Sequence, residues 1–144
     1  MPADPFEHFL TAQANTHSQA LRELSSGRKR THWMWFIFPQ LAGLGQSAMA
    51  RRYAISSVEM AAEYLRHPEL GPRLRACTEA VLNQQETTAD EIFGTPDNLK
   101  FHSSMTLFHL AAPTDELFTA ALEKYFGGVP DPNTLELLGL GDLE

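Results

Sequence analysis

Apolar residues recur along the chain at intervals of three and four, and most such stretches are bracketed by residues that start or stop a helix. Asp4, Pro5 and Glu7 combine an N-cap acid, a proline at the first helical position and a glutamate three residues after the cap. They predict a helix from Pro5 to about Leu24. Its apolar stripe runs through Phe6, Phe9, Leu10, Ala14, Ala20, Leu21 and Leu24, with His17 on the same stripe and Gly27 as the stop.

Ser56, Ser57 and Glu59 open a second helix through Leu65, halted before Pro68 by the restriction proline places on its predecessor. A third spans about Pro68 to Asn83, with Leu74, Cys77, Ala80 and Val81 as its core face. Thr88 and Glu91 form a capping box for a short helix closed by Gly94, and Thr95-Pro96 starts a longer one to about Ala112. Thr114, Asp115 and Glu116 begin a helix through Phe126, where the macrodipole favours acids, and Gly127-Gly128 ends it. Asp131-Pro132 begins the last, from Asn133 to about Leu138, and residues 139–144 are expected to form a loose tail.

One stretch breaks the pattern. His32-Trp33-Met34-Trp35-Phe36-Ile37-Phe38-Pro39-Gln40 is almost continuously bulky, and its local propensity favours a buried strand. No strand partner is evident elsewhere in the sequence, so a buried helix or an irregular core segment is the preferred expectation. The fold class is therefore mostly α: one multihelical domain over residues 1–144, with about six to eight helices.

At 144 residues the chain is long enough to bury a core without disulfide or metal staples. Its single cysteine, Cys77, fits a reducing, cytoplasmic setting. The first residues lack a signal-peptide pattern, and the longest apolar run, 33–38, is far shorter than a membrane span, so no membrane association is expected. Charge is unevenly placed. Residues 1–75 carry nine Lys/Arg and six Asp/Glu, whereas residues 76–144 carry two and twelve, giving the net −7. Between Gly27 and Ser57 lie Arg28, Lys29, Arg30, Arg51 and Arg52 with no carboxylate, a solvated loop face or an anion-attracting patch. An acidic second half argues against binding duplex nucleic acid.

His32 through Gln40, then Gly43-Leu44-Gly45 with Ser47, Tyr53-Ala54-Ile55, Tyr64-Leu65, His67-Pro68, Leu70-Gly71 and Arg73-Leu74 together form an extended signature. Further on come Ile92-Phe93-Gly94, Asp97, Lys100, Ser103-Ser104-Met105-Thr106-Leu107-Phe108, Tyr125-Phe126-Gly127-Gly128, Asp131 and Thr134-Leu135. In these residues, over nearly its whole length, the chain resembles the bacterial family catalogued as domain of unknown function 1810. The resemblance implies a single multihelical domain and carries no activity with it. His102 departs from the pattern, which would place an arginine there.

Three groups of residues are candidates for chemistry. In the turn Gly43-Leu44-Gly45-Gln46-Ser47 the glycines free backbone N–H groups and Ser47 can cap the following helix, so the turn is either a plain helix start or an anion site. It is neither a dinucleotide fingerprint nor a Walker loop, and no cofactor is expected. His32 and Gln40 bracket the aromatic stretch, in which Trp33 and Trp35 either pack in the core or offer faces to a flat ligand. On the helix that follows Pro96, Lys100, Ser103 and Ser104 can share a face, but their order and spacing do not match a Ser-x-x-Lys nucleophile motif. The six histidines and Cys77 lack metal-ligand spacing, so no metal is expected. Cys77 reads as a small buried hydrophobe.

The leading functional expectation is a small anionic or nucleotide-like ligand held by the aromatic segment, the 43–47 turn and Lys100. Its residues are His32, Trp33, Trp35, Gln40, Gly43, Gly45, Ser47, Lys100, Ser103 and Ser104, with no catalytic residue assigned. The alternative is a non-catalytic module that docks a partner protein through the basic and aromatic segment 28–40.

Overall fold

A computed structural model describes residues 5–140. Helices named in chain order are α1 (Glu7–Gln13), α2 (His17–Ser25), α3 (Met34–Ile37), α4 (Ala48–Arg52) and α5 (Val58–Arg66). They continue as α6 (Leu70–Leu82), α7 (Ala89–Phe93), α8 (Asp97–Ala111), α9 (Glu116–Phe126) and α10 (Pro132–Leu137). The fold is mostly α, with no strand among the described residues, only an isolated parallel bridge between Leu41 and Ile55. No helix among them is long and apolar enough to cross a membrane.

The helix starts follow the side-chain chemistry. Ser47, Ser57, Thr88, Asp115 and Asp131 each accept a backbone N–H of the first turn, and Thr88 with Glu91 closes a full capping box. Gly127 ends α9 in the left-handed conformation, at φ 63°. The expected Asp4 cap and the end of the expected loose tail, 141–144, lie outside the described residues.

One element departs from expectation; of the ten helices described, six have seven or more residues, in line with the expected six to eight. The predicted first helix is broken into α1 and α2 at residues 14–16. Its apolar stripe lapses between Ala14 and Ala20, and Asn15 and Thr16 are weak helix formers. The gain at the break is tertiary. Gln13 turns inward and donates to the Phe36 carbonyl at 2.6 Å and to the Tyr64 hydroxyl at 3.1 Å. Segment 32–40 is one helical turn, α3, followed by extended chain. This agrees with the preferred expectation of a buried helix or irregular core segment; just beyond α3 the Ile55 N–H donates to the Gln40 carbonyl and the Ile55 carbonyl accepts from the Ala42 N–H.

The core is centred on α8, where every residue from Ser103 to Phe108 is buried, as is Phe101. A helix enclosed on all sides needs apolar neighbours around its circumference, and α5, α7, α9 and α10 supply them, together with α3. Phe101 stacks on Phe93 at 4.7 Å and meets the edge of Phe38 at 5.1 Å, tying the aromatic segment to α7 and α8. Residues on the N-terminal half of α8 thereby come to face those of segment 29–47.

Candidate functional site

The segment leading into α3 is held by a buried carboxylate. Glu23 of α2, only 3% exposed, accepts hydrogen bonds from the backbone N–H groups of Arg30 and Thr31, the Thr31 hydroxyl, the Trp33 indole Nε1 and the Gln19 amide. Burial alone would raise its pKa, but these donors prevail and hold it at about 2. The carboxylate is thus charged at neutral pH, and it fixes the stretch that carries Lys29, His32 and Trp33.

Lys29 in turn reaches α8. Its Nζ lies 2.8 Å from Asp97 Oδ2 and 5.1 Å from the centre of the Trp33 ring. Lys100, one turn along the helix, meets the other oxygen of Asp97 at 3.1 Å and lies 4.4 Å over the Trp35 ring. Burial alone would raise Asp97, yet the hydrogen bonds and charges of the two lysines hold it below the usual carboxylate range.

Trp35 and Lys100 stand between two clefts. The smaller, about 220 Å³, is lined by Lys29, His32, Met49 and Asp97 with Trp33 among its wall residues. The larger, about 560 Å³, is lined by Gln40, the 44–47 turn, Ser103 and Asp131. Gly45 makes room for the ring between them, because a Cβ there would lie 2.6 Å from the Ala50 Cβ and 3.0 Å from the Trp35 ring. Gln40 is 5% exposed, and its Nε2 has no hydrogen-bond acceptor among the described residues.

Of the expected residues, Trp35, Gln40, Gly45, Ser47, Lys100 and Ser103 line the larger cleft, and His32 and Trp33 line the smaller. Trp33 is 1% exposed with its indole N–H bonded to Glu23, a packed core position, whereas Trp35 is half-buried and His32 exposed. Gly43 faces the side chain of Leu137, and Ser104 is enclosed in the core; neither lines either cleft. Ser47 spends its hydroxyl on the Ala50 N–H, 3.1 Å away, as an N-cap.

Lys29, Asp97, Glu23, Met49 and Asp131 also belong to the site, and sequence reasoning did not assign them to it. Lys29 stood out only as part of a charge run, Asp97 and Asp131 only as positions of family resemblance or helix starts. Glu23 gave no signal, because a glutamate on an amphipathic helix reads as solvent-facing until its donors are brought to it.

Asp131 is also a structural clamp. Its Oδ2 accepts from Ser103 Oγ at 2.9 Å and from the Thr134 hydroxyl and N–H at 2.7 and 3.1 Å, while its own N–H donates to Thr106 Oγ1. Asp131→Ala is expected to lower stability by about 2–3 kcal/mol, since it removes an N-cap and a buried acceptor together. The measurement is the urea midpoint; a loss under about 0.5 kcal/mol, the scale of an ordinary surface change, would contradict the clamp.

Cys77 is buried, and burial pushes its thiol up to about 12, the behaviour of a core residue rather than of a nucleophile. No group of three or more potential metal ligands occurs among the described residues.

A family profile matches residues 4–138. The chain belongs to that family, described as protein of unknown function (DUF1810). A solved structure supports the same placement of this DUF1810 chain: the conserved hypothetical protein Rv1873 from Mycobacterium tuberculosis, with 52% sequence identity and a TM-score of 0.92. That similarity covers 94% of this chain and 99% of the other. No curated protein matches. The relationship covers almost the whole chain.

Proposed function

We propose that this DUF1810 protein binds a small anionic or nucleotide-like ligand in the cleft formed by Trp35, Gln40, the 44–47 turn and Lys100. The observation that carries the reading is Gln40. Its amide nitrogen is withdrawn from solvent without an acceptor in the described structure, which costs about 1–3 kcal/mol. The torsion that orients a terminal amide is soft, so a small rotation presents this donor to a ligand oxygen or ring nitrogen in the cleft. Lys100 supplies positive charge and Trp35 an aromatic wall. The cleft volume, about 560 Å³, falls within the range common for small-molecule sites.

A thermal-shift panel of nucleotides, nucleosides, ADP-ribose, sugar phosphates and simple anions at fixed ionic strength tests the reading. At a hundredfold excess over Kd a bound ligand stabilises by about 2.7 kcal/mol, a rise of roughly 5–10 °C for a chain of this size. Gln40→Leu and Lys100→Ala should each remove most of that rise. Equal shifts in the wild type and both variants would show that the ligand sits elsewhere.

A second reading, docking of a partner protein, draws on Met49 and Leu99. These apolar side chains are 42% and 57% exposed at the margins of the two clefts. A flat panel in the wild type favours it over ligand binding.

A further inference from the structure

The two clefts differ in charge, and the difference gives a bound ligand a direction. In the smaller cleft two ammonium groups, Lys29 and Lys100, face one carboxylate, Asp97, leaving one positive charge in excess. The larger cleft shares Lys100 and brings in Asp131 but no further cation, so the positive excess lies on the side of the smaller cleft. The chain on either side of the smaller cleft adds to the imbalance. Arg28 and Arg30 flank Lys29 in sequence and are exposed, and so are Arg51 and Arg52, which follow Met49 on α4. In a protein of net charge −7 this concentrates positive potential at one end of the site.

Hydrogen-bonding and ring-binding groups gather at the other end: the unpartnered Nε2 of Gln40, the Ser103 and Asp131 pair, and the ring of Trp35, which Gly45 approaches closely. The 44–47 turn is a poor anion site by comparison. The helix it starts has only five residues, and no lysine or arginine lines that side of the cleft apart from Lys100. Each lysine ammonium, in contrast, carries three N–H donors, of which one is directed to Asp97.

We infer that the smaller cleft is a phosphate subsite, in which Lys29 and Lys100 take the phosphate of a ligand whose ring occupies the larger cleft. This inference rests on the ligand-binding reading above and narrows it to a class: phosphate monoesters of ring-bearing alcohols, with nucleoside monophosphates as the simplest test case. Lys29 and Asp97 are then specificity-determining residues. Lys29 attracts the phosphate, and Asp97 moderates that attraction by occupying one donor on each lysine.

Titration calorimetry with adenosine 5′-monophosphate, adenosine and inorganic phosphate tests the assignment. The monophosphate should bind about tenfold or more tightly than adenosine, the scale of one or more charge-assisted hydrogen bonds. Asp97→Asn releases both lysines and should raise monophosphate affinity by about tenfold while leaving adenosine unchanged. Lys29→Met should erase the preference for the monophosphate. If Lys29→Met does not fold, Asp97→Asn decides the matter, because a purely structural role for Asp97 cannot yield tighter binding of one probe alone.

Adenosine binding as tightly as its monophosphate in the wild type overturns the phosphate subsite. So does an Asp97→Asn variant whose monophosphate affinity is unchanged or reduced. If probes bind through Gln40 without a phosphate preference, the ligand-binding reading stands and this inference alone falls. If no probe binds and the wider panel is also flat, both fall.

Discussion

Replacing Glu23 by alanine is expected to destabilise the protein by about 3–5 kcal/mol, because several donors lose a charged acceptor in one step. The indole of Trp33, the backbone N–H groups of Arg30 and Thr31 and the Thr31 hydroxyl all converge on this carboxylate. With Trp33 only 1% exposed, water cannot reach its indole N–H to replace the lost acceptor without opening the packing around that ring. The pH dependence has a definite sign. The folded-state pKa is depressed from 4.5 to about 2, so the contribution is fully present above pH 4.5 and is lost as the pH falls through that interval. The full contribution is roughly 3 kcal/mol. Urea unfolding at a series of pH values should show the wild type losing stability below pH 4.5 more steeply than Glu23→Gln. Parallel curves would mean that the carboxylate does not carry this load. The effect reaches the clefts as well, because the same donors fix the stretch holding Lys29 and His32.

Gly71→Ala should also be strongly destabilising, against the usual sign of that substitution in a helix. An alanine inside a helix ordinarily gains about 1 kcal/mol over glycine. At position 71 of α6 the new Cβ would lie 2.2 Å from the Leu65 carbonyl oxygen, near the end of α5. The obstacle is backbone, which cannot rotate away as a side chain can, so the α5 and α6 segments must separate. A net loss of about 3 kcal/mol is expected, by analogy with severe overpacking, and it corresponds to a fall in Tm of roughly 6–12 °C. Thermal unfolding followed by circular dichroism gives the value, and an unchanged or raised Tm would show that the two helices have slack at this crossing.

The outline of the fold is legible wherever the determinants are local. A capping side chain bonds the first turn of its own helix, and a glycine or proline acts within a few residues of itself. For that reason Ser57, Thr88, Asp115 and Asp131 mark helix starts in the sequence that hold in three dimensions. The break at residues 14–16 illustrates the limit. Weak helix formers permit it, but it is stabilised by Gln13 bonding to Phe36 and Tyr64, partners 23 and 51 residues away. Segment 32–40 shows the same dependence, since the chain leaving α3 is tied down at the Gln40 carbonyl by Ile55, 15 residues away.

The candidate site divides along the same line. Its residue types were readable in advance: an aromatic stretch bracketed by polar groups, a glycine turn with a capping serine, and Lys100 near Ser103 on one helix. Their grouping was not, and it excludes Gly43 and Ser104 from the clefts while bringing in Lys29, Asp97 and Asp131. Ser103 and Ser104 are adjacent in sequence, but successive residues on a helix point about 100° apart, so one reaches the cleft and the other the core. Short-range chemistry along the chain sets where helices begin and end and which residues can bind or pair. Which of those residues meet, which polar group is left without a partner and where charge accumulates are long-range matters, settled when α8 is enclosed by its neighbours.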